Sequence, residues 1–169
     1  MDLGAFDRWY STEHPKLLST LVVVGGDLDR AQDAVDEAFA RAYERWGRVS
    51  EMTAPTAWTY QTALNVLKRR GRRAAMEARL HRRRAETSIS APADWSPEVW
   101  EALRSLPVRE RTAIALRYVV DLSTEDIATA MRIAPGTVGS TLNAARRHLA
   151  STLGDERESL VILEEAPDG

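Results

Sequence analysis

Cysteine is absent from the 169 residues, so there are neither disulfides nor thiolate metal ligands, and a reducing cytoplasm is the expected setting. Histidine is scarce. His14, His81 and His148 are too scattered to hold a structural zinc, and no metal or other cofactor is expected. No uninterrupted apolar run approaches the ~20 residues that span a bilayer. The opening M-D-L-G-A-F-D-R lacks a basic stretch followed by an apolar one, so neither membrane insertion nor a secretion signal is expected. Excess positive charge is lacking too. With Lys+Arg 23 against Asp+Glu 25 the formal net charge is −2, and any grip on an anionic partner must come from local segregation of charge. There is also no phosphate-cradling glycine loop and no His beside a Ser in a nucleophile motif, which disfavours an enzyme.

What is present begins with a hydrophobic share of 44%, enough for a core and for one ordinary domain or two small helical ones. The organising stretch is Leu122 to Leu149, L-S-T-E-D-I-A-T-A-M-R-I-A-P-G-T-V-G-S-T-L-N-A-A-R-R-H-L. Ser123 or Thr124 can cap a short helix whose first turn holds Glu125 and Asp126, where carboxylates complement the exposed N–H groups. Pro135 disfavours α geometry in the residue before it, which stops that helix, and suits the first turn of the next. Val138, Leu142, Ala145 and Leu149 then recur at helical steps and bury one stripe. The opposite stripe is Gly136, Thr137, Gly139, Ser140, Asn143, Ala144, Arg146 and Arg147. This is the pattern of a helix-turn-helix, whose second helix lies in the DNA major groove; the alternative is an amphipathic hairpin inside an all-α core.

Upstream, Phe6, Trp9 and Tyr10 open a helical segment that the sequence predicts to be interrupted near His14-Pro15, before Leu17, Leu18, Leu21 and Val22 resume an apolar face up to Gly25-Gly26. Asp27 or Asp29 caps a long helix with Leu28, Ala31, Val35, Ala38, Phe39, Ala42 and Trp46 inward. Its other face, with Asp33, Asp36 and Glu37, is either a solvated surface or a docking face for a basic partner. Gly47 to Pro55 has the composition of a loop, and Trp58, Tyr60, Ala63, Leu64 and Leu67 restart a helix that runs into a basic tract, Lys68, Arg69, Arg70, Arg72, Arg73, Arg79 and Arg82 to Arg84. Cations beside the Trp58 and Tyr60 rings suit melted nucleic acid, where bases stack and phosphates are gripped; otherwise the rings are core. From Ala85, small residues and prolines mark a linker. Beyond it, Val99, Trp100 and Leu103 face inward, Leu106-Pro107 breaks the helix, and Arg111 and Arg117 are candidate phosphate contacts. The tail after Leu153 is acidic around the apolar Leu160 to Leu163, a frayed end or a segment that folds back onto the domain or a partner.

With these blocks in order, the chain resembles the extracytoplasmic-function (ECF) type of the sigma-70 family from about Phe6 to Leu153. D-L-D-R-A-Q-D-A-V-D-E-A-F-A-R-A-Y is similar to the second-region helix and A-P-T-A-W-T-Y-Q-T-A-L-N-V-L-K-R-R to the promoter-melting helix. S-L-P-V-R-E-R-T-A-I-A-L-R-Y with the helix-turn-helix is similar to the fourth region. The resemblance implies an all-α protein of two small helical domains: a region 2-like domain over 1–84, a flexible linker over 85–96, a region 4-like domain over 97–153 and the acidic tail 154–169. It implies a non-enzymatic, cytoplasmic subunit of bacterial RNA polymerase that brings the core enzyme to promoter DNA and helps open it. By position, Asp33, Asp36 and Glu37 would dock the β′ clamp helices. Gly47 to Pro55 would capture a flipped minus-10 base, and Trp58, Asn65, Lys68, Arg69, Arg70, Arg72 and Arg73 would contact the melted strand and adjacent backbone. Pro135, Gly136, Thr137, Gly139, Ser140, Thr141, Asn143, Arg146 and Arg147, with Arg111 and Arg117, would serve the minus-35 element, and the β flap is the implied partner of the same domain. An anti-sigma factor or an activator protein is left open as a further partner.

Departures from the family pattern sharpen the expectation. Gly139, Thr141 and Ala144 stand where basic residues are usual, removing contacts worth ~1–3 kcal/mol each, so major-groove reading should lean on polymerase or an activator. Asp36 stands where Gln is common, making the ridge more acidic. Two other readings compete: a free-standing regulator with a helix-turn-helix similar to LuxR-type proteins, and a sigma-like interaction module that occupies a partner without initiating. Footprinting with and without core polymerase separates the first, run-off transcription the second.

Overall fold

The computed structural model describes residues 3–81 and 96–153, and among them every element is an α-helix: α1 Leu3–Gly25, α2 Leu28–Glu44, α3 Trp46–Val49, α4 Pro55–His81, α5 Pro97–Ser105, α6 Val108–Tyr118, α7 Thr124–Met131 and α8 Pro135–Leu153. The linker sequence short of Ser96, Arg82 to Arg84, the side chain of Arg79 and the tail with Leu160 to Leu163 lie outside the described residues.

α1 to α4 form one module around Leu17, Leu21, Val35, Ala38, Phe39, Tyr60 and Val66. α1 runs unbroken through Pro15, correcting the expected interruption. Phe6, Leu17, Thr20, Leu21 and Val24 follow one another at helical spacing on a single buried face, while Pro15 is exposed. Burial on both sides thus outweighs the ~3 kcal/mol that an interior proline costs. Asp27 is the cap of α2, its Oδ1 accepting the Arg30 N–H at 2.9 Å. Leu28, expected inward, is 50% exposed, because it precedes the turn at which the apolar stripe begins with Ala31. Within the expected loop Gly47 to Pro55, α3 contributes one helical turn whose Trp46 and Val49 are buried. The rings of Phe6, Trp9, Tyr10, Phe39, Tyr43 and Trp46 pack with neighbouring centroids 4.9–6.0 Å apart, and Trp9 Nε1 donates to Thr56 Oγ1 at 3.3 Å. This cluster pins the turn between α3 and α4.

α5 to α8 form the second module around Trp100, Leu103, Leu116, Ile127, Val138 and Leu149. Ser96 Oγ caps α5 by accepting from Val99 N, and Ser123 Oγ caps α7 by accepting from Asp126 N at 3.1 Å. Arg132 leaves α7 in the left-handed region at φ 57°, and Pro135 opens α8 directly behind it. The modules lie against each other, α7 on α4 and α6 on α1. Gln61 Nε2 donates to the Thr129 carbonyl at 2.7 Å, and Arg111 Nη2 to the Val24 carbonyl at 3.1 Å.

Candidate nucleic-acid interface

The acidic face of α2 and the basic face of α4 are neighbours, and their side chains meet. Arg70 Nη1 lies 2.6 Å from Asp33 Oδ2, Arg70 Nη2 3.5 Å from Glu37 Oε2, and Arg69 Nη2 2.7 Å from Glu37 Oε1. Arg41, one turn on from Glu37, reaches the same Oε1. The Arg69 hydrogen bond, helped by the charges of Arg69 and Arg41, holds the Glu37 carboxyl below its usual range against the opposing effect of burial. Asp36 stands apart, with His14 Nε2 at 3.8 Å. Residues that sequence similarity divides between two partners thus form one ion-pair network.

Farther along α4, Asn65, Lys68, Arg72 and Arg73 are exposed, whereas Trp58 is half-buried against the core. Tyr60 is fully buried, so of the two rings considered for base stacking this one is a core residue. Arg30, unnoticed in the sequence, joins Arg69, Arg70 and Arg73 around a cationic recess of about 340 Å³.

On the helix-turn-helix, Pro135, Gly136, Gly139, Ser140, Asn143 and Arg147 are exposed and Thr137 is half-buried along α8. Thr141 is 8% exposed, its hydroxyl donating to the Thr137 carbonyl, because it falls on the Val138–Leu142–Ala145 side of the helix. Arg146 is half-buried and donates from Nε and Nη2 to the Tyr118 hydroxyl at 3.1 and 2.9 Å. Arg117 donates to the Leu122 carbonyl at 3.1 Å. Arg111 donates to the carbonyls of Arg104 and Val24, and burial, then repulsion from Arg104, pulls its affinity for a proton down. These three arginines are engaged in holding the fold here. Among the described residues the exposed basic surface of the module is correspondingly small: Arg109, Arg132 and Arg147.

Two family models match the chain: Sigma-70 region 2 over residues 9–76 and Sigma-70, region 4 over residues 96–149. The RNA polymerase sigma-H factor of Pseudomonas aeruginosa is 32% identical, over 90% of this chain and 88% of that protein. The RNA polymerase sigma-E factor of Streptomyces antibioticus is 29% identical over 88% and 84%. The ECF RNA polymerase sigma factor SigM of Mycobacterium tuberculosis is 28% identical over 90% and 79%. Among solved structures, the sigma factor RpoE in complex with the anti-sigma factor NepR from Bartonella quintana superposes with a TM-score of 0.79 at 23% identity, covering 90% of this chain and 99% of that one. CnrH in complex with the cytosolic domain of CnrY superposes at 0.63 and 22%, covering 90% and 89%. At such identities these structures speak for the fold.

Proposed function

This chain belongs to the sigma-70 family as an RNA polymerase sigma factor of the ECF type, and from that premise we propose how its surfaces divide the work. It acts without catalysis of its own, in the cytoplasm, on bacterial core polymerase and promoter DNA. The region 2-like domain over 1–84 docks through Asp33, Asp36 and Glu37 onto the β′ clamp helices. Trp58, Asn65, Lys68, Arg69, Arg70, Arg72 and Arg73 then hold the minus-10 strand as it melts. The region 4-like domain over 97–153 presents Pro135, Gly136, Thr137, Gly139, Ser140, Asn143 and Arg147 to the minus-35 groove beside the β flap. Arg111, Arg117, Thr141 and Arg146 shape that domain from within.

The observation that carries this division is the α2–α4 ion-pair network. Its members are exposed enough that each pair contributes only ~0.2–1 kcal/mol, so a basic polymerase face can replace Arg69 and Arg70 as the partner of Asp33 and Glu37. The displaced guanidiniums are then free for phosphates, which couples docking to DNA capture. Co-elution with core polymerase and run-off transcription test it. Asp33→Lys and Glu37→Lys should each abolish both while leaving the helical content unchanged. Full transcription from either variant overturns the assignment of the docking ridge.

A further inference from the structure

A groove of about 680 Å³ runs between the two modules, where the ends of α1 and α7, the N-terminus of α6 and the middle of α4 come together. Its floor is apolar, with Val24, Leu64, Leu67, Met131 and Ile133. Its rim carries Arg30, Lys68, Arg109, Arg111 and Arg132, and among the described residues no carboxylate lines it. Arg30 is paired with Asp27, and Arg111 is occupied by backbone carbonyls that leave its charge uncompensated and its buried Nε without a partner. Among the described residues, no carboxylate pairs with Lys68, Arg109 or Arg132. An apolar floor under an unbalanced cationic rim asks for a short hydrophobic segment flanked by acids.

The chain carries such a segment. In G-D-E-R-E-S-L-V-I-L-E-E-A-P-D-G, the apolar block Leu160 to Leu163 has Asp155, Glu156 and Glu158 before it and Glu164, Glu165 and Asp168 after it, against the lone Arg157. We propose that this acidic tail, residues 154–169, docks in the interdomain groove, with Leu160 to Leu163 on the apolar floor and its carboxylates on the rim cations.

The start of the tail is near enough. His148 on α8 lies 2.6 Å from Glu110, whose chain neighbours Arg109 and Arg111 line the groove. At 100° per residue, those neighbours flank Glu110 on either side of α6, and the tail starts after Leu153, five helical residues (~7.5 Å) beyond His148, so with one helix of ~10–12 Å to round its path is ~18–20 Å. Residues 154–160 span up to ~23 Å when extended, which covers the path. A docked tail bridges α4 to the α6 and α7 ends and covers Asn65 and Lys68. On the reading given above for those residues, it therefore keeps the modules together and hides part of the minus-10 surface until polymerase or DNA displaces it.

The absence of native cysteine allows a direct test. Ser159→Cys in the full chain takes a single nitroxide, whose paramagnetic broadening is read on the amides of the folded residues. At low salt the amides of Val108 to Thr112 and Ala130 to Ile133 should broaden selectively. The broadening should be lost in Arg109→Glu/Arg132→Glu and equally in Leu160→Asp/Leu163→Asp, whose changes lie in the tail and leave the folded modules untouched. Uniform broadening, broadening centred on α8, or broadening that survives both double variants overturns the proposal. So does broadening seen only between molecules when labelled, isotope-free chain is mixed with unlabelled ¹⁵N chain. Because polymerase and DNA are absent from the sample, a negative result here leaves the promoter reading standing, and a failure of transcription leaves this one standing.

Discussion

Replacing Glu37 with Gln removes the charge at the centre of the α2–α4 network while keeping the shape of the side chain. Glu37 is 25% exposed and faces Arg41, Arg69 and Arg70, which are 41%, 51% and 38% exposed. With partners this open to water, the pairs contribute at the low end of ~0.2–1 kcal/mol each, and the loss should total ~1 kcal/mol. For a chain of this size that lowers the melting temperature by ~2–4 °C. The pH dependence has a definite sign. The folded-state carboxyl of Glu37 is held below the ordinary glutamate value of 4.5. Its contribution is therefore fully present above that value and is lost as pH falls through the lower folded value. Thermal melts followed by circular dichroism should show the gap between the parent chain and Glu37→Gln at pH 7, shrinking in 1 M salt, where the screening length is ~3 Å, and closing progressively below pH ~4.5. An Arg69→Gln variant should share most of the loss, with a coupling in the double variant of ~0.5 kcal/mol. A gap that persists unchanged at pH 3, or none at pH 7 in low salt, refutes the claim that the network holds α2 to α4.

Three further outcomes follow from the second module. Ser123→Ala removes the cap on α7 and should cost ~1 kcal/mol, read as a lower melting temperature, because Asp126 N loses its acceptor. Arg132→Gly should raise the melting temperature, since a non-glycine residue at φ 57° carries ~1 kcal/mol of backbone strain. Gly139→Arg should strengthen binding of the full chain to a duplex carrying its promoter, by up to the ~1–3 kcal/mol of a good base contact. A Cβ there meets nothing within 4 Å on the protein, and fluorescence anisotropy against a scrambled duplex would measure the gain.

The helix-turn-helix and α2 were legible in the chain because their information is local. A cap residue, a proline and an apolar repeat of 3.6 residues each act within a few positions. α1 was misread at Pro15 for the complementary reason: the local cost was visible, but the burial of Leu17 and Leu21 that overrides it depends on α2 and α4. The same limit hid the α2–α4 ion-pair network. Asp33 and Glu37 read as a docking ridge, and Arg69 and Arg70 as a nucleic-acid grip, but the pairs between them link positions 32 to 37 apart in sequence. Thr141 was assigned to the DNA side by its place in the motif, whereas its hydroxyl closes onto the Thr137 carbonyl and the residue is buried alongside Val138 and Leu142.

The packed arrangement cannot contact both promoter elements together. Elements named for positions 10 and 35 lie about 25 base pairs apart, ~85 Å along B-DNA, whereas a compact chain of 169 residues has a radius of gyration of ~15 Å and a span of ~40 Å. Besides the packing of α7 on α4 and α6 on α1, the modules are joined by polar links that water or polymerase can replace, Gln61 to the Thr129 carbonyl and Arg111 to the Val24 carbonyl, and the expected linker of 85–96 extends to ~40 Å. Donor and acceptor dyes on Ser19→Cys and Ala150→Cys, exposed positions one in each module and away from the assigned DNA contacts, should therefore transfer energy efficiently in the free chain. Transfer should fall steeply once core polymerase and a promoter fragment are both present. Efficient transfer maintained in a transcribing complex would mean that the modules stay packed as they are here, and that one of them does not touch its assigned element.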